Sequence, residues 1–548
     1  MEIHFLGGAT TVTGSQFLLV TERAQILVDC GMFQGSPNEA VRNRIPLAFD
    51  PAKLDAIVLT HAHLDHCGLV PHVVKQGFRG PVIGTHGTCE LAELVLLDSG
   101  HLQEEFAKRE ARWEKKHPDE AVADDQKERA VYEAALELSD NPASATAVGV
   151  APDAATIGSE GTSEEAAVAV GDTRPAFGRD PEVELRSQPP EIELDLDEPL
   201  YTKDDAEAAV KQFRPIGYDE EIEVAPGIHA VFLDAGHILG SSIVRVRVSD
   251  REGGAERTIV FSGDLGRPGT PIIRDPSVLT DADYVLVEST YGGREHEPHE
   301  EAIRILAETV RMVDQANGVL LVPSFAIGRT QEVVWELDRL IDQGAIPLLP
   351  LYLDSPMASK ASDIYRRHAD YFDEETAKLL RAGGSPLDYP DQHETRRVQE
   401  SQAIATAPRP YMIVASNGML TGGRVVGHLR NLIGDQDATI LFVGYQGEGT
   451  LGAHLQAGAK EVKIDGQLRE VRCQVRSISG FSAHADESEL LDWLSNFARD
   501  KGPGDKGFPR RIFLVHGDPE AQIAIEPKVR ALGFETKIPH WREQVALD

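Results

Sequence analysis

The chain has 548 residues, a formal net charge of −35 and 41% hydrophobic residues. That is too long for one ordinary domain and long enough to bury a large core, so two domains plus an insertion are expected. Four scattered cysteines, Cys30, Cys67, Cys89 and Cys473, form no CxxC pair, which argues against a disulfide framework or a structural zinc knuckle and fits a reducing compartment. No charged and apolar leader precedes the first strand-like residues, and no stretch approaches membrane-spanning length. The expectation is a soluble, cytoplasmic protein. Its acidity speaks against a default nucleic-acid binder, because phosphate backbones attract Lys and Arg. Binding is decided in one cleft, however. Arg also outnumbers Lys by more than two to one, and its planar guanidinium is the better fork for phosphate.

From Met1 to about Gln103, short β-rich runs alternate with turns. Residues 25–31 and 54–60 read as strands ending in polar or small residues, and residues 69–76 as a helix. From 112 to 199 the character changes. No Lys or Arg occurs between Arg129 and Arg174, and Ala, Ser, Gly, Asp and Glu dominate. Such a segment buries too little apolar surface to offset its ordering entropy, so an acidic, disordered insertion is expected, with a helix near 126–138. Residues 231–237 and 257–264 are again strands running into polar ends. After Glu288 the pattern becomes strand, small-residue turn, helix. It recurs at 319–332, at 350–356 and at 411–424, which predicts a parallel α/β domain.

The strongest chemical signal is His61-Ala62-His63-Leu64-Asp65-His66 at the end of an apolar strand. In extended chain His61 and His63 point the same way, so both imidazoles can reach one cation, and the following turn swings Asp65 and His66 towards a second. Imidazole and carboxylate suit zinc, with manganese possible where oxygen ligands increase. His237, Asp264 and His516 each stand at the end of another β run, where a sheet can aim them at a common point. His4, His72, His86, His101, His229 and His296 lack such partners in sequence and read as structural or exposed.

This order of Asp29, the HxHxDH run, His237, Asp264 and His516 resembles the metallo-β-lactamase superfamily. The resemblance implies an αββα sandwich. It places His61, His63 and His237 on one zinc, and Asp65, His66 and His516 on the other. Asp264 bridges them and Asp29 orients the ligands. More than two hundred residues separate Asp264 from His516, and they contain three further runs. These are Val287-Glu288-Ser289-Thr290-Tyr291-Gly292, Gly422-Gly423-Arg424-Val425-Val426-Gly427-His428 and Gly480-Phe481-Ser482-Ala483-His484-Ala485-Asp486. They resemble the added motifs of the β-CASP family of nucleases, whose acid would be Glu288 and whose histidines would be His428 and His484. A histidine at the position of His484 goes with RNA-processing members. In layout the chain is similar to short prokaryotic RNases related to the cleavage subunit of the polyadenylation machinery.

The expected boundaries follow. Residues 1–288 form the first part of the metallo-β-lactamase domain, interrupted by the insertion at 112–199. Residues 289–447 form an inserted parallel α/β β-CASP domain, and 448–548 the C-terminal part of the first domain. The resemblance implies two Zn²⁺ per chain that lower the pKa of a shared water. Asp65 would accept the water proton. His484, and less directly His428, would serve the scissile phosphate or the leaving 3′-oxygen, giving 5′-phosphate and 3′-hydroxyl ends. Glu288 would orient a basic or histidine partner. The turns at 324–329 and 416–424 open helices whose N-termini could hold phosphates, with Ser416, Arg329 and Arg424 as contacts. The expected partner is single-stranded RNA, with no membrane and a homodimer implied by resemblance only. A DNA nuclease, a small-molecule hydrolase and a non-catalytic binding subunit stand as alternatives.

Overall fold

The computed structural model describes residues 1–140, 198–444, 446–447 and 449–548. Two seven-stranded sheets pack face to face. The first runs in the order Glu543–Ala546, Glu2–Gly7, Gln16–Val20, Gln25–Val28, Ala56–Val58, Val82–Thr85, Phe213–Ile216. It is antiparallel as far as Gln25–Val28 and parallel beyond. The second runs Thr536–Lys537, Arg511–Val515, Tyr284–Glu288, Glu256–Phe261, Ser242–Ser249, Ile228–Asp234, Glu221–Ala225.

Strand alternation sorts each side chain to a face. Ile26, Val28 and Val58 from the first sheet meet Phe232, Val246, Phe261 and Phe513 from the second in one core. Their neighbours in sequence point outward. Leu27 and Ile57 pack under the helices Val70–Lys75 and His86–Glu114. Val285, Val287, Ile512 and Leu514 pack under Glu487–Ser495 and Pro519–Ala531. The result is the expected αββα sandwich.

The third sheet has six strands, all parallel, in the order Gln392–Glu394, Leu351–Asp354, Tyr411–Ala415, Val319–Pro323, Ala438–Phe442, Gln474–Ser477. Both faces are covered. Leu320, Val322, Leu353 and Val414 face one core, and Leu321, Ile413, Ile440 and Phe442 the other. This explains why these strands read as continuous apolar runs. Its last strand comes from Gln474–Ser477, so the sheet draws on sequence well past residue 447.

The expected insertion is ordered at its start. His86–Glu114 continues through residue 112, and Pro118–Asp140 is a second helix, longer than the one expected at 126–138. Tyr132, Ala135 and Leu136, spaced i, i+3, i+4, make an apolar stripe that packs with Phe33, Ile45 and Trp541. That stripe offsets the ordering entropy which the acidic composition alone could not. The rest of the expected disorder, at 141–197, lies outside the described residues. No described helix is long and apolar enough to cross a membrane, and Cys30, Cys67, Cys89 and Cys473 are all free and buried.

Phe232 lies fully buried between the two sheets. Phe232→Ala should cost about 3–5 kcal/mol through lost burial and a residual cavity, visible as a lowered melting temperature; an unchanged transition would contradict this packing.

Candidate metal centre

The carboxyl ends of both sandwich sheets converge. Asp29 follows Gln25–Val28, and residues 61–66 follow Ala56–Val58 in the first sheet. From the second come His237 after Ile228–Asp234, Asp264 after Glu256–Phe261, and His516 after Arg511–Val515. Close backbone approaches hold these loops. A Cβ on Gly31 would stand 1.7 Å from the Asp65 carbonyl oxygen, and one on Gly266 equally close to that of Gly236. Glycine is therefore required where the loops carrying Asp65, His237 and Asp264 are pressed into place. Backbone bonds from Ser15 N to Asp65 O (2.8 Å) and from Cys30 N to His66 O (2.7 Å) lock the first loop.

Two histidine-rich groups of ligand atoms result, and Asp264 also forms a third group with Glu288 and His484. Nδ1 of His63 lies 3.2 Å from Nε2 of both His61 and His237. His66 and His516 stand with Asp65, whose Oδ2 is 3.6 Å from His516 Nε2. Within each group the ligand atoms lie no more than 4.8 Å apart, Asp264 included in the first. Asp264 sits between the groups. Its Oδ2 is 3.4 Å from His61 Nε2 and 3.6 Å from His237 Nε2, while its Oδ1 is 3.2 Å from His66 Nε2 and 3.6 Å from His516 Nδ1.

Second partners aim the rings. Asp29 Oδ2 is 2.8 Å from His66 Nδ1 and accepts from Thr60 Oγ1, while its Oδ1 accepts from Thr60 N. His237 Nδ1 donates to the Ala483 carbonyl at 3.2 Å, so its Nε2 faces Asp264. Thr290 Oγ1 lies 3.1 Å from His516 Nδ1.

Charge states fit cation binding at every shifted ligand except His66. Burial first, with neighbouring imidazoles, lowers His61 to about 3. Burial likewise lowers His63 to about 4 and takes His237 well below its usual value, leaving lone pairs free. Burial opposes the charged forms of Asp65 and Asp264, but surrounding imidazoles outweigh it and hold both carboxyls below the ordinary range. His66 goes the other way: burial opposes its charge, yet Asp264 and Asp29 raise it. His66 Nε2, Asp264 Oδ1 and His516 Nε2 are buried with no hydrogen-bond partner. Leaving such atoms unpaired costs about 1–3 kcal/mol each. A divalent cation in each group would satisfy them, so the residues present fit a two-cation site.

His484 reaches this centre from beyond the third sheet. Its Nε2 lies 3.9 Å from Asp264 Oδ2, and its Nδ1 lies 3.1 Å from both oxygens of Glu288. Glu288 is wholly buried and also accepts from Leu265 N (2.6 Å) and Thr290 Oγ1 (2.5 Å). Both its oxygens are committed, which suits an orienting role better than metal ligation. Burial opposes a charged His484 ring, but Glu288 and Asp264 outweigh it and raise it to about 9.

Other expected site residues have partners of their own. His428 is buried with Nε2 2.6 Å from Asp354 Oδ2. Arg424 donates to Asp354 Oδ1 at 2.7 Å and to the Arg396 carbonyl at 3.0 Å. Ser416 Oγ is 3.0 Å from Ser355 Oγ. Arg329 is 5% exposed and paired with Glu332, so its guanidinium is committed inside the protein and could fork a phosphate only by leaving that pair. Two residues that the sequence reading gave no role stand beside the centre: Thr290 next to Glu288 and His516, and His296 next to His484. Asp354, which gathers His428, Arg424 and Ser401, ends the strand of the 350–356 pattern read from sequence.

Family models match three segments: the metallo-beta-lactamase superfamily at residues 9–134, the Beta-Casp domain at 330–455, and a Zn-dependent metallo-hydrolase RNA specificity domain at 469–539. Ribonuclease TTHA0252 of Thermus thermophilus is 32% identical over 545 residues, covering all of both chains. Transcription termination factor FttA of Methanosarcina mazei is 29% identical, covering 98% of this chain and 70% of its own length. Its namesake from Methanocaldococcus jannaschii is 27% identical over 97% and 69%.

Two outcomes follow from the geometry. Asp29→Ala should weaken zinc affinity about 10–100-fold by freeing the His66 ring, read by competition with a chromogenic chelator; unchanged affinity would remove Asp29 from the site. In metal-free protein, His61, His63 and His237 have folded pKa values below their unfolded one near 6.5, so unfolding takes up protons as pH falls below 6.5. Each contributes roughly 1.4 kcal/mol of lost stability per pH unit at most. His66 and His484, raised on folding, and the two lowered aspartates add little slope between pH 4.5 and 6. Between pH 6 and pH 5 the melting temperature of chelated protein should therefore drop, by less than these rings alone would give, because burial raises Asp234 and Asp338 to about 6 and their protonation opposes the fall; a rise across that window would mean that these rings are not buried neutral.

Proposed function

Because the chain belongs to the β-CASP family of the metallo-β-lactamase superfamily, we propose that it is a zinc-dependent ribonuclease that cuts single-stranded RNA to 5′-phosphate and 3′-hydroxyl ends. The carrying observation is the placement of Asp264, with one oxygen turned to each group of imidazoles. The similarity to a protein named as a ribonuclease, and the match to an RNA specificity domain, support RNA as substrate.

His61, His63 and His237 would hold one Zn²⁺, and Asp65, His66 and His516 the other, with Asp264 shared; manganese is the alternative ion. Such ions supply Lewis acidity for the phosphoryl oxygens and make a nearby water more acidic. The chain does the rest. Asp65, held among charge-stabilising imidazoles, accepts the proton of the attacking water. As the P–O3′ bond breaks, His484 gives its Nε2 proton to the leaving oxygen. Glu288 keeps that ring charged and turned inward, since its carboxylate faces Nδ1. Asp29 fixes the His66 ring. Ser416, Arg424 and Arg329, at the carboxyl edge of the parallel sheet, are the proposed contacts for the RNA backbone, at the edge where α/β sheets bind ligands, the two guanidiniums by exchanging a present partner for phosphate. We assign the cytoplasm as its site of action, on the four unpaired cysteines.

The test is cleavage of a 5′-labelled single-stranded RNA, beside matched DNA, by wild type, His63→Ala and His484→Ala with zinc or manganese. Wild type should cut RNA and lose activity to chelator, His63→Ala should be inactive, and His484→Ala should fall about 10²–10⁴-fold as expected for a lost general acid. Intact RNA with metal-loaded wild type would refute the assignment.

A further inference from the structure

His296 is buried, 8% exposed, yet belongs to no metal group and was unremarkable in sequence. Its Nε2 lies 3.2 Å from the carbonyl oxygen of His484. Burial first, then the Arg267 charge, lowers its pKa to about 4, so the ring is neutral with one proton. The carbonyl can only accept, which places that proton on Nε2. Nδ1 is buried without a partner, and the ring lies 4.2 Å from the Tyr291 ring, itself 6.3 Å from the His484 ring.

The peptide after His484 is thereby held at both polar groups. Its carbonyl accepts from His296, and its N–H, on Ala485, donates to the Leu265 carbonyl at 2.8 Å. One residue earlier, the Ala483 carbonyl accepts from His237. Fixing these groups fixes the direction in which the His484 side chain leaves the backbone, and so the gap between Glu288 and Asp264 into which its ring must fit. The neighbouring bonds are of another kind. Ser479 N donates to Glu297 at 2.6 Å, Gly293 N to Glu487 at 2.7 Å, and His296 N faces Asp486 at 3.3 Å. Those lace the loop at 289–298 to the loop at 479–489 as a whole; His296 alone among these side chains grips the His484 residue itself.

We propose that His296 is a positioning residue for the reaction: through its Nε2–H bond to the His484 carbonyl it holds the His484 imidazole in line between Glu288 and Asp264. This rests on the ribonuclease reading for its kinetic consequence, but the positioning itself is measurable without RNA.

The variants are His296→Phe, which keeps a ring against Tyr291 and removes the donor, and His296→Gln, whose amide N–H reaches roughly where Nε2 stands. In zinc-loaded protein, His296→Phe should lower kcat on single-stranded RNA about 10–100-fold, the scale of a small misplacement of a reacting group. KM and zinc content should not change, and His296→Gln should recover to within about threefold of wild type. In parallel, ¹³C-histidine NMR of zinc-loaded protein, with the His484 signal assigned through His484→Gln, should show its titration midpoint displaced in His296→Phe and restored in His296→Gln. The proposal is overturned if His296→Phe leaves kcat and the His484 titration at wild-type values. It is equally overturned if both variants lose zinc and stability together, which would make the ring mere packing. Should wild type fail to cut RNA, the ribonuclease reading falls, and the NMR comparison alone decides the positioning.

Discussion

A carboxylate enclosed by imidazoles, Asp264 at 2% exposure, is the constraint from which the rest of the site follows. Removing a carboxylate from water is expensive unless something compensates its charge. The surrounding imidazoles supply that compensation, His516 and His66 first, and hold the Asp264 carboxyl well below its usual range, while burial keeps His61, His63 and His237 neutral. The arrangement is imposed by the scaffold, through loops pressed together at Gly31 and Gly266 and bonded along their backbones. A cation in each group would meet ligand atoms already in place, so binding energy is not spent on rearranging them.

The three large sheets divide the work. The sandwich sheets bring the proposed ligand residues from four strand ends to one edge, which needs a rigid core on both sides of each strand, and the buried stripes of Phe232, Phe261 and Phe513 supply it. The parallel sheet contributes no member of the two histidine groups. It returns the chain at Gln474–Ser477 so that the next loop delivers His484 to the open side of Asp264. The proposed ligands are built on short strand-end loops, and the proposed proton donor, His484, is carried across from the second domain on a loop strapped by His237, His296 and Leu265.

What could be read from sequence was what the chain keeps local. Residues 61–66 carry their chemistry in one run, and the strands before Asp29, His237, Asp264 and His516 announce themselves by apolar runs with polar ends. The pairing of Glu288 with His484, 196 residues apart, was legible only through family resemblance. What stayed hidden depends on tertiary neighbours. Arg329 looks like a free fork beside a helix N-terminus until burial and Glu332 claim it. The partner of His428, Asp354, stands 74 residues away in the chain. His296 shows nothing until the loop at 479–489 folds over it. The helix at Pro118–Asp140 was underestimated because composition hides a three-residue stripe that finds Trp541 far along the chain.

A net charge of −35 also ceases to conflict with a phosphate ligand, since two divalent cations would reverse the local field where the scissile phosphate must approach. The decisive measurement is diffraction from crystals of the zinc-loaded protein, with anomalous data collected on both sides of the zinc absorption edge. Two peaks should appear, one among His61, His63 and His237 and one among Asp65, His66 and His516, with an Asp264 oxygen on each. A single peak, or a peak held by Glu288 and His484, would contradict a centre built around a bridging Asp264.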